Sequence, residues 1–147
     1  MKILIIVLSV LMIVGLADDK KIQPIAENSK IIERNEVKDL IVNIRTLDQA
    51  IAKKNMDDNK DIILLDVRTV EEYKEVHIPN SILVTLNEID EEIMSQKVPD
   101  KQSIIYTYCR SGIRSKMAYE ILYKMGYENV YNIGGINTWS YETQRGN

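Results

Sequence analysis

Residues 62–65, Ile62-Ile63-Leu64-Leu65, form an apolar run with no polar break. A strand wetted on one face alternates apolar and polar side chains, whereas an unbroken run suits a strand covered on both faces. Such a strand belongs to a parallel sheet with helices packed above and below it, and the sequence after residue 40 supplies the other parts. Strands are predicted at 40–44, 62–65, 81–85, 103–108 and 130–133. Helix signals lie between them. Thr46 and Gln49 read as a capping box ahead of a helix reaching about residue 54, and Thr69 and Glu72 as a second one ahead of a helix over 70–75. Asn87 is placed to cap a helix over 88–95. The strongest helical pattern spans 115–125, with Met117, Ala118, Ile121, Leu122 and Met125 at offsets of three and four and Gly126 where a left-handed residue ends a helix. A short helix around 137–141 follows the last strand. Strands alternating with helices across short loops define an α/β domain: a mostly parallel central sheet with helices on both faces. Ligands of such domains sit beyond the carboxyl ends of the strands.

The N-terminus has a separate character. Lys2 precedes an apolar stretch over 3–16 broken only by Ser9 and Gly15, and Gly15-Leu16-Ala17 offers small residues at a cleavage position before Asp18-Asp19-Lys20-Lys21. This order reads as a signal peptide over 1–17, because the apolar stretch falls short of the ~20 residues a membrane span wants. A polar tether over 18–39, with a short helix around 29–37, then leads to the domain over 40–147. The expectation is an exported, periplasmic, monomeric protein with no lasting membrane association once the leader is removed. A formal net charge of −3 gives no electrostatic reason to expect nucleic acid as a partner.

The chain has one cysteine, so an intramolecular disulfide is impossible and Cys109 is a free thiol or an intermolecular partner. Its surroundings point to reactivity. Cys109-Arg110-Ser111-Gly112-Ile113-Arg114-Ser115 stands between an apolar strand and a helix. Free N–H groups at a helix start attract negative charge, a glycine-containing loop can turn successive amides inward as an anion nest, and Arg110 and Arg114 add positive charge. All three favour thiolate over thiol, and in such settings a thiol pKa falls from ~8.5 to roughly 3.5–7.5. Ser111 could add a hydroxyl donor, and Gly112 is the residue suited to a close approach of backbone to sulfur. An ordinary loop holding a buried cysteine and two surface arginines would carry the same letters; the placement after an apolar strand and before a helix favours the reactive reading.

Several segments, in order, resemble the rhodanese family: Asp66-Val67-Arg68-Thr69-Val70-Glu71-Glu72-Tyr73, His77-Ile78-Pro79-Asn80-Ser81-Ile82, the Cys109–Ser115 loop, Gly126 to Tyr131, and Gly134-Gly135-Ile136-Asn137-Thr138-Trp139. The likeness runs over about residues 40–142. It implies a single α/β domain in which Cys109 is catalytic and carries sulfur as a persulfide, taking it from a donor such as thiosulfate and passing it to a thiophilic acceptor such as cyanide or a thiol, a protein thiol included. It implies no metal and no organic cofactor. Anion contacts fall on Arg110, Ser111, Gly112, Ile113 and Arg114. A loop of six residues from Cys109 through Arg114 is the size that the resemblance associates with sulfur substrates, and it argues against phosphatase or arsenate chemistry. Asp66 and Arg68 are expected to pair as scaffold, His77 to hydrogen-bond within its turn rather than serve as a base, Tyr108 to support the loop or line the pocket, and Gly134-Gly135 to allow close packing. With no partner domain to wall it, the pocket is expected to be shallow and open. The rival reading is a persulfide or redox carrier on the same fold that docks to a partner protein and turns over small donors little.

Overall fold

The computed structural model describes residues 44–146. The predicted leader, tether, helix at 29–37 and most of the strand at 40–44 lie outside the described residues. Within them, the elements in chain order are α1 (Gln49–Asp58), β1 (Ile63–Asp66), α2 (Val70–Glu75), β2 (Ile82–Leu83), a 3-10 turn (Leu86–Glu88), α3 (Glu91–Lys97), β3 (Ile105–Cys109), α4 (Ile113–Lys124), β4 (Val130–Gly135) and a second 3-10 turn (Ile136–Thr138). The four strands form one sheet in the order β2-β1-β3-β4, and every pairing is parallel. From β1 the chain first steps outward to β2, then returns to place β3 on the other side of β1. The strand order reverses between β1 and β3, and ligands of such sheets bind beyond the carboxyl ends at that point.

Successive strand residues face opposite sides of the sheet, and the core divides accordingly. On one side Leu65, Ile105, Cys109 and Val130 pack with Ala118, Tyr119 and Leu122 of α4 and Met94 of α3. On the other, Leu64, Tyr106, Tyr108 and Ile133 pack with Ala52 of α1, Ile78 and Trp139. The expected α/β class with helices on both faces is therefore the observed one.

Local signals located some elements and misplaced others. The Thr69–Glu72 capping box forms as read, and α2 spans the predicted residues. At α1 the cap is Asp48, not Thr46: its carboxylate accepts from Ala50 N at 2.8 Å, while the Gln49 side chain is drawn away to Ile133 O and Gly135 O. Asn87 falls inside a 3-10 turn, and Asp90 caps α3 instead, accepting from Ile93 N at 2.7 Å. The strand expected over 81–85 shortens to two residues. α4 begins at Ile113, two residues early, and buries Ser115, Ala118, Tyr119 and Leu122, leaving Met117 50% exposed. Of the predicted stripe, Ala118 and Leu122 are buried and Ile121 and Met125 pack against the core, so Met117 is its one outward member.

The end of α4 matches its signal. Gly126 has φ 89°; its N–H reaches Tyr123 O at 3.0 Å and the Tyr127 N–H reaches Leu122 O at 3.1 Å, the double bond of a Schellman cap. A Cβ at Gly126 would meet nothing within 4 Å, so a side chain there adds backbone strain without a clash. Gly126→Ala should lower the unfolding free energy by about 1–2 kcal/mol, read as a shift in urea midpoint at unchanged slope, with the reactivity of Cys109 unaltered.

Candidate active site

Cys109 is the last residue of β3 and is 1% exposed. The sulfur is buried, and cavities of 690 and 480 Å³ elsewhere are lined by other residues. Burial disfavours a thiolate, yet the Cys109 pKa lies below its ordinary value. Burial raises it; hydrogen bonds from the Ser115 backbone and hydroxyl and from the Gly112 and Ser111 backbone more than compensate. The Gly112 N–H lies 3.1 Å from Sγ. To bring that amide back within three residues of the sulfur, Gly112 adopts φ 99°, a conformation glycine enters without steric cost, and α4 starts at the next residue with its free N–H groups facing the sulfur.

The loop lies flat against β4. An ideal Cβ on Gly135 would stand 2.3 Å from Arg110 O and 2.6 Å from Ser111 Cα, and one on Gly112 would stand 3.3 Å from Gly134 Cα. The close packing expected of Gly134-Gly135 is what the structure shows. It is helped by a register shift between Thr107 and Cys109 on β3, which pair with Asn132 and Gly135, so β4 carries one extra residue, a bulge that re-aims its end. Ser115, fully buried, donates toward Asn132 Oδ1 at 2.6 Å, with Gly112 O at 3.0 Å and Gly134 O at 3.3 Å, and Asn132 Oδ1 also accepts from Gly134 N at 3.1 Å. Gln49, from α1, holds the Ile133 and Gly135 carbonyls at 3.0 and 2.9 Å. Ser115, Asn132 and Gln49 were not singled out from sequence as site residues. The Ser115–Asn132 and Gln49–Gly135 contacts span 17 and 86 residues, and only the strand-to-helix position of Ser115 hinted at its role.

The other candidates separate into groups. Arg114 does not lie open to the loop: Nη1 and Nη2 grip Glu72 Oε2 and Oε1 at 2.7 and 2.8 Å. This pairing holds the Glu72 carboxyl well down, at about 2. The Arg114 charge is favoured first by Glu72 and further by Cys109. Arg110 is exposed, with no side-chain hydrogen bond or ion pair among the described residues. Ser111 is exposed and acts on the sulfur through its backbone. Ile113 is 69% exposed and contributes no side chain to the sulfur's cradle.

Asp66 and Arg68 form a buried pair, 0% and 3% exposed. Arg68 Nε lies 2.9 Å from Asp66 Oδ1, Nη2 2.6 Å from Oδ2, and Nη2 also donates to Val76 O at 2.6 Å. Burial works against the Arg68 charge and Asp66 restores it. The Tyr108 hydroxyl donates to Asp66 Oδ2 at 2.5 Å and accepts from Ile78 N at 3.1 Å; burial, together with the Asp66 charge, raises its pKa. Since Tyr108 pairs with Asp66 across the sheet, this network fixes the strand end that carries Cys109. His77 is 3% exposed, stacks on Tyr73 at 3.8 Å, and uses its two ring nitrogens on Tyr73 O and the Gln144 side chain, both at 2.8 Å. The structure does not bring it to the sulfur's hydrogen-bond shell.

The Rhodanese-like domain family matches residues 48–142. The chain is similar to the thiosulfate sulfurtransferase PspE of Escherichia coli (strain K12), 42% identical over 58 residues, covering 40% of this chain and 55% of PspE; it thus spans about half the length of that relative. Among solved structures it resembles a rhodanese with anions from E. coli (36% identity, TM-score 0.54, covering 58% of this chain and 99% of that one). It also resembles the BH2092 protein from Bacillus halodurans (31% identity, TM-score 0.60, covering 76% and 82%).

Two outcomes are expected. Ser115→Ala removes a hydroxyl that lowers the Cys109 pKa while leaving the backbone donors, so the thiol pKa should rise; alkylation rate against pH measures it, and an unchanged midpoint would show that the amides suffice. The second concerns stability. Glu72 has its folded pKa depressed to about 2 from 4.5, so its contribution is fully present above pH 4.5 and is lost as pH falls toward 2. The urea midpoint of the parent should exceed that of Glu72→Gln near neutrality, and the gap should close across that window.

Proposed function

Since the chain belongs to the Rhodanese-like domain family, a family of sulfurtransferases and sulfur carriers, we propose that it moves sulfane sulfur from a donor such as thiosulfate to a thiophilic acceptor through a persulfide on Cys109. The observation that carries this reading is the Gly112 N–H at 3.1 Å from a buried sulfur whose pKa is nonetheless depressed. The nucleophile is activated without a histidine base, because the hydrogen bonds that lower the Cys109 pKa enlarge its thiolate fraction. It attacks the outer sulfur of thiosulfate; the S–S bond breaks, sulfite leaves with the bonding pair, and Cys109 holds a terminal persulfide anion. The amides that stabilised the thiolate face this new anion. An acceptor thiolate or cyanide then takes the outer sulfur and returns Cys109 as thiolate. Arg110, exposed and unpaired among the described residues, is the cation available to an anionic donor.

We further propose that the protein is exported, in accord with Lys2, the apolar stretch over 3–16 and the small residues at 15–17, and that it acts as a monomer in the periplasm. A protein thiol as acceptor is favoured by one observation: Ile113 and Met117, four residues apart on α4 beside the loop, are 69% and 50% exposed, an apolar rim that a docking partner could cover.

Purified protein incubated with thiosulfate and cyanide should release thiocyanate, and Cys109→Ala should abolish it. Thiosulfate alone should add the mass of one sulfur atom to the chain, confined to the peptide holding Cys109. Turnover that survives Cys109→Ala would sink the persulfide mechanism.

A further inference from the structure

Building on the sulfur-transfer reading, we propose that Glu72 is a positioning residue of the site: by gripping both terminal nitrogens of Arg114 it fixes where the guanidinium points and offsets its charge at the sulfur. The two bonds, at 2.7 and 2.8 Å, run in parallel from adjacent nitrogens to the two oxygens of one carboxylate, the fork geometry that carries direction as well as energy. Glu72 is itself held. Its Oε2 accepts from Thr69 N at 3.1 Å in the capping box of α2, so the first turn of α2 sets the carboxylate and the carboxylate sets the arginine. The pair joins residues 42 apart in sequence and ties α2 to the first turn of α4. With side chains 31% and 23% exposed, it is shielded more than a surface pair.

The consequence is electrostatic. Cys109 faces a guanidinium already matched by a carboxylate, so the pair adds little net charge and the backbone amides and Ser115 carry most of the anion's stabilisation. Removing one member unbalances the pair in a direction that depends on which is removed. Without Arg114, the sulfur loses the cation that couples to it and the Glu72 carboxylate is left unmatched, which disfavours thiolate. Without the Glu72 charge, an unmatched guanidinium favours it. Removing both restores balance. A role limited to holding the loop together makes a different forecast: every variant would disturb the amide cradle and move the thiol the same way, upward.

The experiment measures the Cys109 thiol pKa from the pH dependence of alkylation by iodoacetamide, a neutral probe. The chain's single cysteine makes the signal unambiguous. Arg114→Ala should raise the midpoint by up to about one unit, Glu72→Gln should lower it, and the double variant should return toward the parent. Glutamine keeps the capping geometry, so Glu72→Gln is the variant expected to fold best, and its sign alone decides if Arg114→Ala does not fold. A double variant as high as Arg114→Ala, or a rise in Glu72→Gln, overturns the proposal. The readout needs no sulfur donor, so a failure of thiosulfate turnover leaves this test standing and is distinguishable from it.

Discussion

A sulfur atom cut off from water can be an anion only if N–H and O–H donors replace the water it has lost. Cys109, at 1% exposure, meets that condition, and the architecture around it follows. Desolvation is the first influence on its pKa and acts upward; hydrogen bonding from the loop and from the start of α4, with the Gly112 N–H at 3.1 Å, reverses the sign. Backbone donors can be assembled this way only where a chain turns sharply at the start of a helix, because elsewhere in regular structure each N–H is already engaged. Hence a strand must end at the cysteine, a loop must turn back at once, and a helix must begin with its axis aimed at the sulfur.

That turn places demands on its surroundings. The φ of 99° at Gly112 brings an amide to the sulfur and presses the loop backbone onto β4, where a Cβ on Gly135 would overlap Arg110 O. The bulge in β4 and the left-handed Gly134 shape the facing surface. Asn132 then gathers Ser115 Oγ and Gly134 N on one oxygen, and Gln49 arrives from the opposite face of the sheet to hold two β4 carbonyls. Both layers of helices thus converge on a cradle a few ångströms across, which is why a small, buried sulfur can be held in one geometry.

What could be read from the sequence was what is local. The Thr69–Glu72 box, the Gly126 terminator and the unbroken apolar run of β1 each depend on residues within a few positions, and each appears where read. The Cys109 loop was legible for the same reason. Thr46 lost to Asp48 because the partner expected of it, Gln49, is claimed by β4, 84 residues away. The stripe on α4 was read from periodicity, and Ala118, Ile121, Leu122 and Met125 do pack on the core, while Met117 faces outward and Ser115 inward. Arg114 was seen as a free cation because its partner lies 42 residues earlier, on α2, and no local pattern announces a fork between them.

The two ion pairs show how position decides role. Asp66 and Arg68 are two residues apart and almost wholly buried, a setting in which desolvation can exceed the attraction. It does not leave atoms stranded here: the carboxylate also receives the Arg68 N–H and the Tyr108 hydroxyl, and the guanidinium reaches Val76 O. Among the described residues no buried side-chain nitrogen or oxygen lacks a partner. That network locks Tyr108 and so settles where the next residue's sulfur sits. Glu72 and Arg114 are partly exposed and stand at the loop, where a matched pair adds little net charge to the field of the backbone amides. Were the two pairs interchanged, a buried fork at the sulfur would close the approach to it, and a solvated one beneath β3 would let the strand end move. Placing the rigid pair behind the nucleophile and the shielded but accessible one beside it separates location from charge, and each can then be altered without rebuilding the other.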